Sequence, residues 1–484
     1  MVLIFPLLIP LLGAFTVLLC KSPRVAVRVA LGVGALEMIA IGNAVVRVYT
    51  TGALQAGEYL RADSLTAFFL INIGLIFALV LVYSVGYLRH IPEGRFSSPR
   101  WFYGLVFLFL FTMIAVYLSA NLGLLWISVE ATTLASAFLV GFYNTKGAVE
   151  AGWKYLIVCT VGIAFALFGT ITFYLAAVRC GIPQDTALNW TVLMNAAPRL
   201  AAAPQLLKLA FVFIVVGYGT KIGFVPMHSW LPDAHAEAPS PISALLSAVL
   251  LNCAMYAVLR FDAITARALG PGFSHHLLLI FGGLSITVAA FLMIVQRDLK
   301  RLLAYSSIEH MGIVALGVGI GGPLGLFGAL LHAFNHSLAK TMLFFTTGDV
   351  RENYGTLRMD RIRGMARTLP WTSGAMIAGG LAIVGMPPFG LFVSEFIILT
   401  AAFTQGSYLI AALILVALSV AFGAMLFHFQ HMLGGESHTT RVRPKAFLTD
   451  LAPTAVCVAC LLVLGLRIPP VFTNLLHSAM AVLQ

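Results

Sequence analysis

Apolar runs long enough to cross a lipid bilayer follow one another along almost the whole chain. A transmembrane helix needs about 20 consecutive apolar residues. With 60% hydrophobic and 10% charged residues, the chain holds more apolar surface than one water-soluble core could bury. The sequence predicts an all-α polytopic membrane protein with about 14 transmembrane helices. The predicted spans begin near Val2, Val29, Ser64, Trp101, Asn121, Ala151, Gln205, Pro239, His275, Arg301, Pro323, Pro370, Tyr408 and Phe447.

The connections between these runs are short, apart from polar stretches at 183–204 and 434–445. We therefore expect one transmembrane domain over residues 1–484, without a linker and without strands. The first run has neither the basic start nor the small-residue cleavage site of a signal peptide, so we expect it to be the first span. The six cysteines are scattered, which predicts structural thiols and no metal site.

Basic residues are concentrated in the loops after odd-numbered spans. Positively charged loops remain in the cytoplasm, so the sequence predicts a multi-pass protein of a bacterial-type cytoplasmic (inner) membrane with both termini on the outer side. Much of the net charge of +11 is then a topology signal, and no basic patch indicates nucleic-acid binding. The odd loops hold Lys21, Arg24, Arg28, Arg89, Arg95, Arg100, Lys146, Arg297, Lys300, Arg301, Arg351, Arg358, Arg361, Arg363, Arg367, Arg441, Arg443 and Lys445, and the other side holds Arg47, Arg61, Arg179, Arg199, Lys208, Arg260, Arg267 and Arg467.

Three lysines, Lys154, Lys221 and Lys340, lie within apolar runs. A charge at the bilayer centre costs between about 2.5 and 17 kcal/mol, so an ionisable residue there indicates a function and should have a partner. Glu130 and Glu395 are acids within the fifth and twelfth spans. Lys154 begins its span and can snorkel, and structural ion pairs are the alternative explanation for all three lysines.

Two spans are interrupted by proline. In KIGFVPMHSWLP, Pro226 removes a helical donor, and in AIVGMPPFGLF, Pro387 and Pro388 do the same. Non-helical backbone at membrane depth is tolerated only where it is buried in protein or lines a hydrated cavity. Lys221 lies close before the first break and Glu395 close after the second, which favours a transporter with discontinuous helices 7 and 12 over two simple kinks.

The eleventh span contains LHAFNHSLAKTMLFF, which places His332, His336 and Lys340 at successive i, i+4 positions along one helix face. One span earlier, His310 follows Glu309 in SSIEHMG. A protonated lysine cannot ligate a metal, so the stripe favours a proton relay over a metal or haem site.

A row of this kind can also support pumping. Unit charges 4 Å apart interact by about 4 kcal/mol at an effective dielectric of 20. Moving one charge against 100 mV takes about 2.3 kcal/mol. Making or breaking one ion pair therefore supplies enough free energy to move one proton against 100 mV. We expect Lys221 to pair with Glu130.

Several of these motifs together resemble one family of membrane proteins. The run KIGFVPMHSWLPDAHAEAPSPISALLSAVLLNCAMYAVLR, with WISVEATTL, SSIEHMG, HAFNHSLAKTMLFF and PPFGLFVSEF, is similar to the antiporter-like subunits of respiratory complex I, of group 4 membrane-bound nickel-iron hydrogenases and of multi-subunit sodium/proton antiporters. The resemblance covers nearly the whole chain, and within the family EAGWKYLIVCTVG most resembles the component F subunits of hydrogenase 4.

The resemblance implies two inverted five-helix repeats at 101–262 and 275–432, with peripheral helices at 1–100 and 447–468. Some family members have a central lysine where this chain has Asn252, and Lys340 with His310 or His336 is the expected substitute. Seven residues are implied to carry protons: Glu130, Lys221, His310, His332, His336, Lys340 and Glu395.

We expect no redox centre in this chain, because it has neither cluster-type cysteine spacing nor a nucleotide-binding motif. The resemblance implies partner subunits with a nickel-iron centre and iron–sulfur clusters, whose electron transfer is coupled to proton movement. His228, Asp233, His235 and Glu237 are candidates for a proton entrance, with an ordinary polar loop as the alternative. Two other functions remain open: a component of a sodium/proton antiporter driven by ion gradients, and a scaffold that moves no ion.

Overall fold

The structure is a computed structural model that describes residues 2–90, 98–436 and 447–484. Its strands are β1 Ala53–Ala56 and β2 Leu60–Asp63, which pair antiparallel. The helices are α1 Phe5–Leu18, α2 Pro23–Thr51, α3 Ser64–Tyr87, α4 Pro99–Leu118, α5 Leu122–Val140, α6 Lys146–Arg179, α7 Trp190–Asn195, α8 Ala197–Leu200, α9 Pro204–Ile222, α10 Trp230–Glu237, α11 Ser240–Leu245, α12 Leu251–Leu269, α13 Gly272–Ile294, α14 Leu299–Ile320, α15 Gly322–Tyr354, α16 Met365–Thr368, α17 Pro370–Ile383, α18 Gly390–Thr404, α19 Tyr408–Leu433, α20 Ala452–Leu466 and α21 Pro470–Leu483. Four basic residues used to predict the orientation, Arg95, Arg441, Arg443 and Lys445, lie outside the described residues.

Eleven of the described helices are long and apolar enough to cross a membrane, and three shorter apolar helices accompany them. This confirms the prediction of an all-α polytopic membrane protein. The number of fourteen spans stays a prediction, because the twelfth predicted span is divided between α17 and α18. The two inverted repeats stay a prediction as well.

Two elements differ from the sequence-based expectation. The expectation of no strands is wrong, because Gly57 (φ +66°) forms a turn that lets the short segments on either side pair as a hairpin. Helix α21 follows the last predicted span. It is held in place by Phe472, whose ring centroid lies 4.8 Å from that of Phe334 and 6.2 Å from that of Phe68.

Both predicted helix breaks are present. Helix α9 ends at Ile222 and α17 ends at Ile383, and helical structure resumes only in α10 and α18. Gly223 (φ +88°) and Gly385 (φ +68°) lie within the two breaks, in a region of backbone conformation that glycine adopts at little cost. The chain therefore leaves the helical path at the two places where proline removes helical donors.

The helices differ strongly in how well they are shielded from lipid. In the most apolar window of Ser240–Leu269 every residue is buried, and in α14 the buried share is 94%. The corresponding shares in α2 and α19 are 28% and 33%. The helices of Ser240–Leu269 and α14, which carries His310, therefore occupy the centre of the bundle, and less buried helices such as α2 and α19 face lipid or partner chains.

A buried ion pair joins the N-terminal helices to α12. The Arg260 guanidinium donates to Asp63 Oδ2 and Oδ1 at 2.8 and 2.7 Å, and it lies 4.0 Å from the Trp190 ring centroid. Asp63 also caps α3 by accepting from the Thr66 backbone N–H at 3.0 Å. Burial is the largest single influence and raises the pKa of Asp63, but the Arg260 charge and the hydrogen bonds from Arg260 and Thr66 together outweigh it, so the pKa lies below its ordinary value.

We predict that Asp63→Asn lowers the free energy of unfolding by about 3 to 5 kcal/mol, because it leaves Arg260 buried without a counter-ion. Since the folded-state pKa of Asp63 is lowered, the stability from this pair is complete above the ordinary aspartate pKa and is lost as the pH falls through the folded-state value. Unfolding of the purified protein by a denaturing detergent at neutral pH measures the difference.

The matched control is Asp360→Asn, which removes a pair on the surface where Asp360 lies 2.8 Å from Arg358. It should leave the unfolding curve almost unchanged, because exposed ion pairs contribute little. An equal loss in both variants would contradict the role assigned to the buried pair.

Candidate functional site

Six of the seven residues expected to carry protons lie inside the bundle. The seventh, Glu130, is half-buried. The buried six are Lys221, His310, His332, His336 and Lys340, which have no exposed surface, and Glu395, which is 4% exposed. They form one group around Lys221, before the first helix break, and another on α14, α15 and α18.

Lys221 lies in the last turn of α9 and is held by hydroxyl groups. Its Nζ donates to Thr133 Oγ1 at 2.7 Å and to the Tyr155 hydroxyl at 2.6 Å. The same amino group lies 4.8 Å from the centroid of the Tyr155 ring. These neutral partners orient the ammonium group without neutralising its charge.

Glu130 does not form the expected hydrogen-bonded pair with Lys221. Its Oε1 accepts from Thr160 Oγ1 at 2.8 Å, and its Oε2 has no hydrogen-bond partner within the described part of the chain. The expected contact is replaced because α5 turns Thr133, one helical turn further on, toward the lysine. Glu130 and Lys221 still interact electrostatically through space.

Lys340 occupies a comparable environment on α15. Its Nζ donates to the Leu303 carbonyl at 2.7 Å and to Ser306 Oγ, both on α14. The acid nearest in electrostatic effect is Glu309, which is buried and interacts through space with Lys340 and with Glu395. Each central lysine thus has neutral bonded partners and an acid nearby that is not bonded to it.

Three histidines connect α14 to α15 and α18. His310 Nδ1 lies 2.9 Å from His332 Nε2, so one nitrogen carries a proton that the other accepts. His332 Nδ1 lies 3.0 Å from Ser394 Oγ. The His336 ring lies 5.4 Å from that of His310, and neither His336 nitrogen has a partner among residues 2–90, 98–436 and 447–484. Imidazoles in such contact can pass a proton between neighbouring helices.

Glu395 lies against the second helix break. A Cβ atom added to Gly385 would collide with Glu395 Oε2. Only glycine leaves room for the carboxyl group at this point of the break. The break therefore has a direct structural role in positioning Glu395.

Asn252 joins a neutral hydrogen-bonded group at the centre of the bundle. Its Nδ2 donates to Ser337 Oγ at 3.0 Å, and Asn72 Nδ2 donates to the same oxygen at 3.0 Å. Ser337 lies one residue after His336 on α15. Asn252, at the position where some family members have lysine, thus takes part in uncharged hydrogen bonds that join α3, α12 and α15.

Two of the four candidate entrance residues line a surface cavity. Asp233 accepts from Arg301 at 2.6 Å and from Lys154 at 3.4 Å. With Glu237, these residues line a cavity of about 150 Å³ between α6, α10 and α14. The Lys154 side chain is 53% exposed, which agrees with a lysine at a span end.

The other two entrance candidates lie deeper. His235 is fully buried, its ring stacks on Phe344 at 5.0 Å, and neither of its nitrogens has a hydrogen-bond partner in the part of the chain that the structure describes. His228 is half-buried in the first break, with its ring 6.2 Å from that of Tyr305.

Among the buried ionisable residues outside the expected site are Glu309, Glu37 and Lys300. Glu309 and Glu37 lie within apolar runs, and the cost of an intramembrane charge was the signal that could have identified them. Lys300 lies in a predicted loop, yet it is fully buried and its Nζ donates to the Ala238 carbonyl at 2.5 Å. Sequence gives no comparable signal for Lys300, because a basic residue at a span end resembles a loop residue.

Comparison with known proteins agrees with this architecture. Residues 119–421 match the family described as NADH:quinone oxidoreductase/Mrp antiporter, TM. The chain is 41% identical to the hydrogenase-4 component F homolog of Methylacidiphilum infernorum (isolate V4), over 78% of this chain and 80% of that protein. It is 27% identical to one of the Na(+)/H(+) antiporter subunits of Alkalihalophilus pseudofirmus, over 99% and 97% of the two chains. A chain of the membrane-bound sulfane sulfur reductase, an archaeal respiratory membrane complex, superposes with a TM-score of 0.89 at 25% identity, over 100% of this chain and 97% of that one.

We predict that Gly385→Ala lowers the thermal unfolding midpoint, because the new methyl group meets the Glu395 carboxyl group at a backbone φ of +68° that L-residues rarely adopt. The control is Gly374→Ala on the adjoining α17, where an added Cβ meets nothing within 4 Å. Alanine favours a helix over glycine by up to about 1 kcal/mol, so the control midpoint should stay level or rise. Equal midpoints in both variants would contradict the role assigned to Gly385.

Proposed function

Because the chain belongs to the NADH:quinone oxidoreductase/Mrp antiporter family, we propose that it moves protons across the membrane through its buried glutamate, lysine and histidine residues. The observation that carries the proposal is the environment of the two central lysines. Lys221 and Lys340 are fully buried, and hydroxyl and carbonyl oxygens accept their hydrogen bonds. An ammonium group held in this way remains costly, so a small change in the local field decides whether it keeps its proton.

The nearby acids supply that change of field. Glu130 and Glu309 interact electrostatically with Lys221 and Lys340, respectively. At an effective dielectric of 20, bringing a carboxylate to 4 Å stabilises an ammonium by about 4 kcal/mol. This exceeds the approximately 2.3 kcal/mol needed to move one charge against 100 mV. Side-chain movement between bonded and unbonded arrangements is therefore sufficient to load and unload a lysine.

The proposed route into the second group begins at the cavity lined by Asp233 and Glu237. From there His235 offers the next titratable atoms, because it is buried on the same short helix and interacts electrostatically with Lys340 and His336. The contact between His310 and His332 then leads toward Glu395 at the second break. Protons thus enter beside one broken helix and reach the other.

The surroundings of Glu130 support contact with partner subunits. The hydroxyl that donates to it belongs to the exposed Thr160, and neighbouring Ile127 and Ile157 are 54% and 59% exposed. A carboxyl group facing hydrocarbon is costly. We therefore assign this face to contact with another membrane subunit, as in the multi-subunit complexes to which similar chains belong.

Redox chemistry is assigned to other subunits. All six cysteines here are free thiols, and their scattered positions do not suit an iron–sulfur cluster. In a hydrogenase-like or NADH dehydrogenase-like complex, partners would hold the nickel-iron centre and the clusters. This chain would convert their free energy into proton movement across a cytoplasmic membrane, with both of its termini on the outer side.

We predict that Lys221→Met reduces proton movement to the level of protein-free liposomes, because methionine fills similar space but carries no proton. The assay follows internal pH in proteoliposomes that contain the purified complex. Lys208→Met is the matched control: Lys208 lies on the same helix but is exposed, 5.5 Å from the Phe273 ring centroid. Full activity of the Lys221 variant would contradict the proposal and indicate a scaffold.

A role in a sodium/proton antiporter is the second candidate function, because the similarity to the Alkalihalophilus pseudofirmus antiporter protein extends over almost the entire chain. Imidazole and amino groups outnumber carboxyl groups in the buried row, and hard cations prefer oxygen ligands. We therefore predict that the initial rate of proton movement is the same in sodium-free and sodium-containing buffer. A strict requirement for sodium would favour the antiporter.

A further inference from the structure

We propose that His310, His332 and Glu395 form a binding site for a divalent transition-metal ion of the zinc type. These three buried residues each offer one ligand atom, and the three atoms lie within 4.8 Å of one another. The proposal goes beyond proton translocation, because the same side-chain atoms that carry protons in the proposed relay would also bind a metal ion.

The geometry suits zinc after a small movement. Zinc binds histidine nitrogen at about 2.0 to 2.1 Å with tetrahedral geometry, so two ligand nitrogens lie about 3.3 Å apart. His310 Nδ1 and His332 Nε2 already lie 2.9 Å apart. A metal ion would take the place of the proton between them, and the Glu395 carboxyl group would close in by about 1 to 2 Å to complete three protein ligands.

The residues around His332 and Glu395 resemble the surroundings of metal ligands in other proteins. The other nitrogen of His332 lies 3.0 Å from Ser394 Oγ, an outer contact of the kind that orients metal-bound histidines. Glu395 Oε1 is buried and has no hydrogen-bond partner from any residue that the structure describes. Met386, next to Gly385 in the second break, is 38% exposed, so the break itself reaches the surface of the chain.

The donor set also selects the class of ion. Two imidazole nitrogens and one carboxylate oxygen suit zinc and similar transition metals, whereas calcium and magnesium prefer sites made only of oxygen. The ligand set differs from the i, i+4 pair of His332 and His336 on α15. His336 is not part of the group, so it provides a control on the same helix.

The test is zinc binding to the purified full-length protein in lipid nanodiscs, after treatment with a chelator. Isothermal titration with zinc chloride should show one tight site per chain. Ser394→Ala, which removes an outer contact, should weaken that site by about 10- to 100-fold. His332→Gln and Glu395→Gln, which remove a ligand, should weaken it by more than Ser394→Ala does. His336→Gln should bind zinc as the unchanged protein does.

X-ray absorption at the zinc edge should show two imidazole ligands in the unchanged protein. Absence of a stoichiometric site, or equal zinc affinity in Ser394→Ala and His336→Gln, would overturn the proposal. Ser394→Ala removes only one hydroxyl, so its result holds even where a ligand variant fails to fold. Binding is measured without transport, and therefore a failure of the metal proposal is distinct from a failure of the proposed proton movement.

Discussion

Burial of amino groups whose hydrogen-bond acceptors are neutral oxygens is the constraint on which the rest of the structure depends. Lys221 and Lys340 can stay inside the membrane only because hydroxyl and carbonyl oxygens orient them and because central helices shield them from lipid. This shielding depends on outer helices such as α2 and α19, in which most residues are not buried and face lipid or partner chains. The fold is thus arranged around charges that are costly in hydrocarbon.

The two helix breaks lie beside the buried ionisable groups. The first break follows Lys221 directly, and the second leaves space at Gly385 for the carboxyl group of Glu395. Between them, the contact of His310 with His332 joins α14 to α15 and continues through Ser394 to α18. Acids lie near each lysine without being bonded to it, so the free energy of each proton depends on small side-chain movements.

The sequence indicated the spans, the two breaks and the burial of the row, because the cost of charge in lipid and the missing donor of proline are properties of individual residues. It did not indicate that Thr133, and not Glu130, meets Lys221, because those residues differ by one turn of α5 and packing fixes the rotation of that helix. The position of Glu37 in an apolar run already indicates a costly buried charge, whereas the burial of Lys300 depends on how α14 packs on neighbouring helices.

Water placement between the two lysine groups tests the central claim most directly. Ser247 and Ser307, whose hydroxyls lie 2.8 Å apart, occupy the central helices next to Ser306, which holds Lys340. Electron cryo-microscopy of the assembled complex in lipid, at a resolution that shows ordered water, should reveal a water chain from Lys221 through this serine pair to Lys340. A layer of apolar side chains packed between them, with no water on either side, would contradict the account.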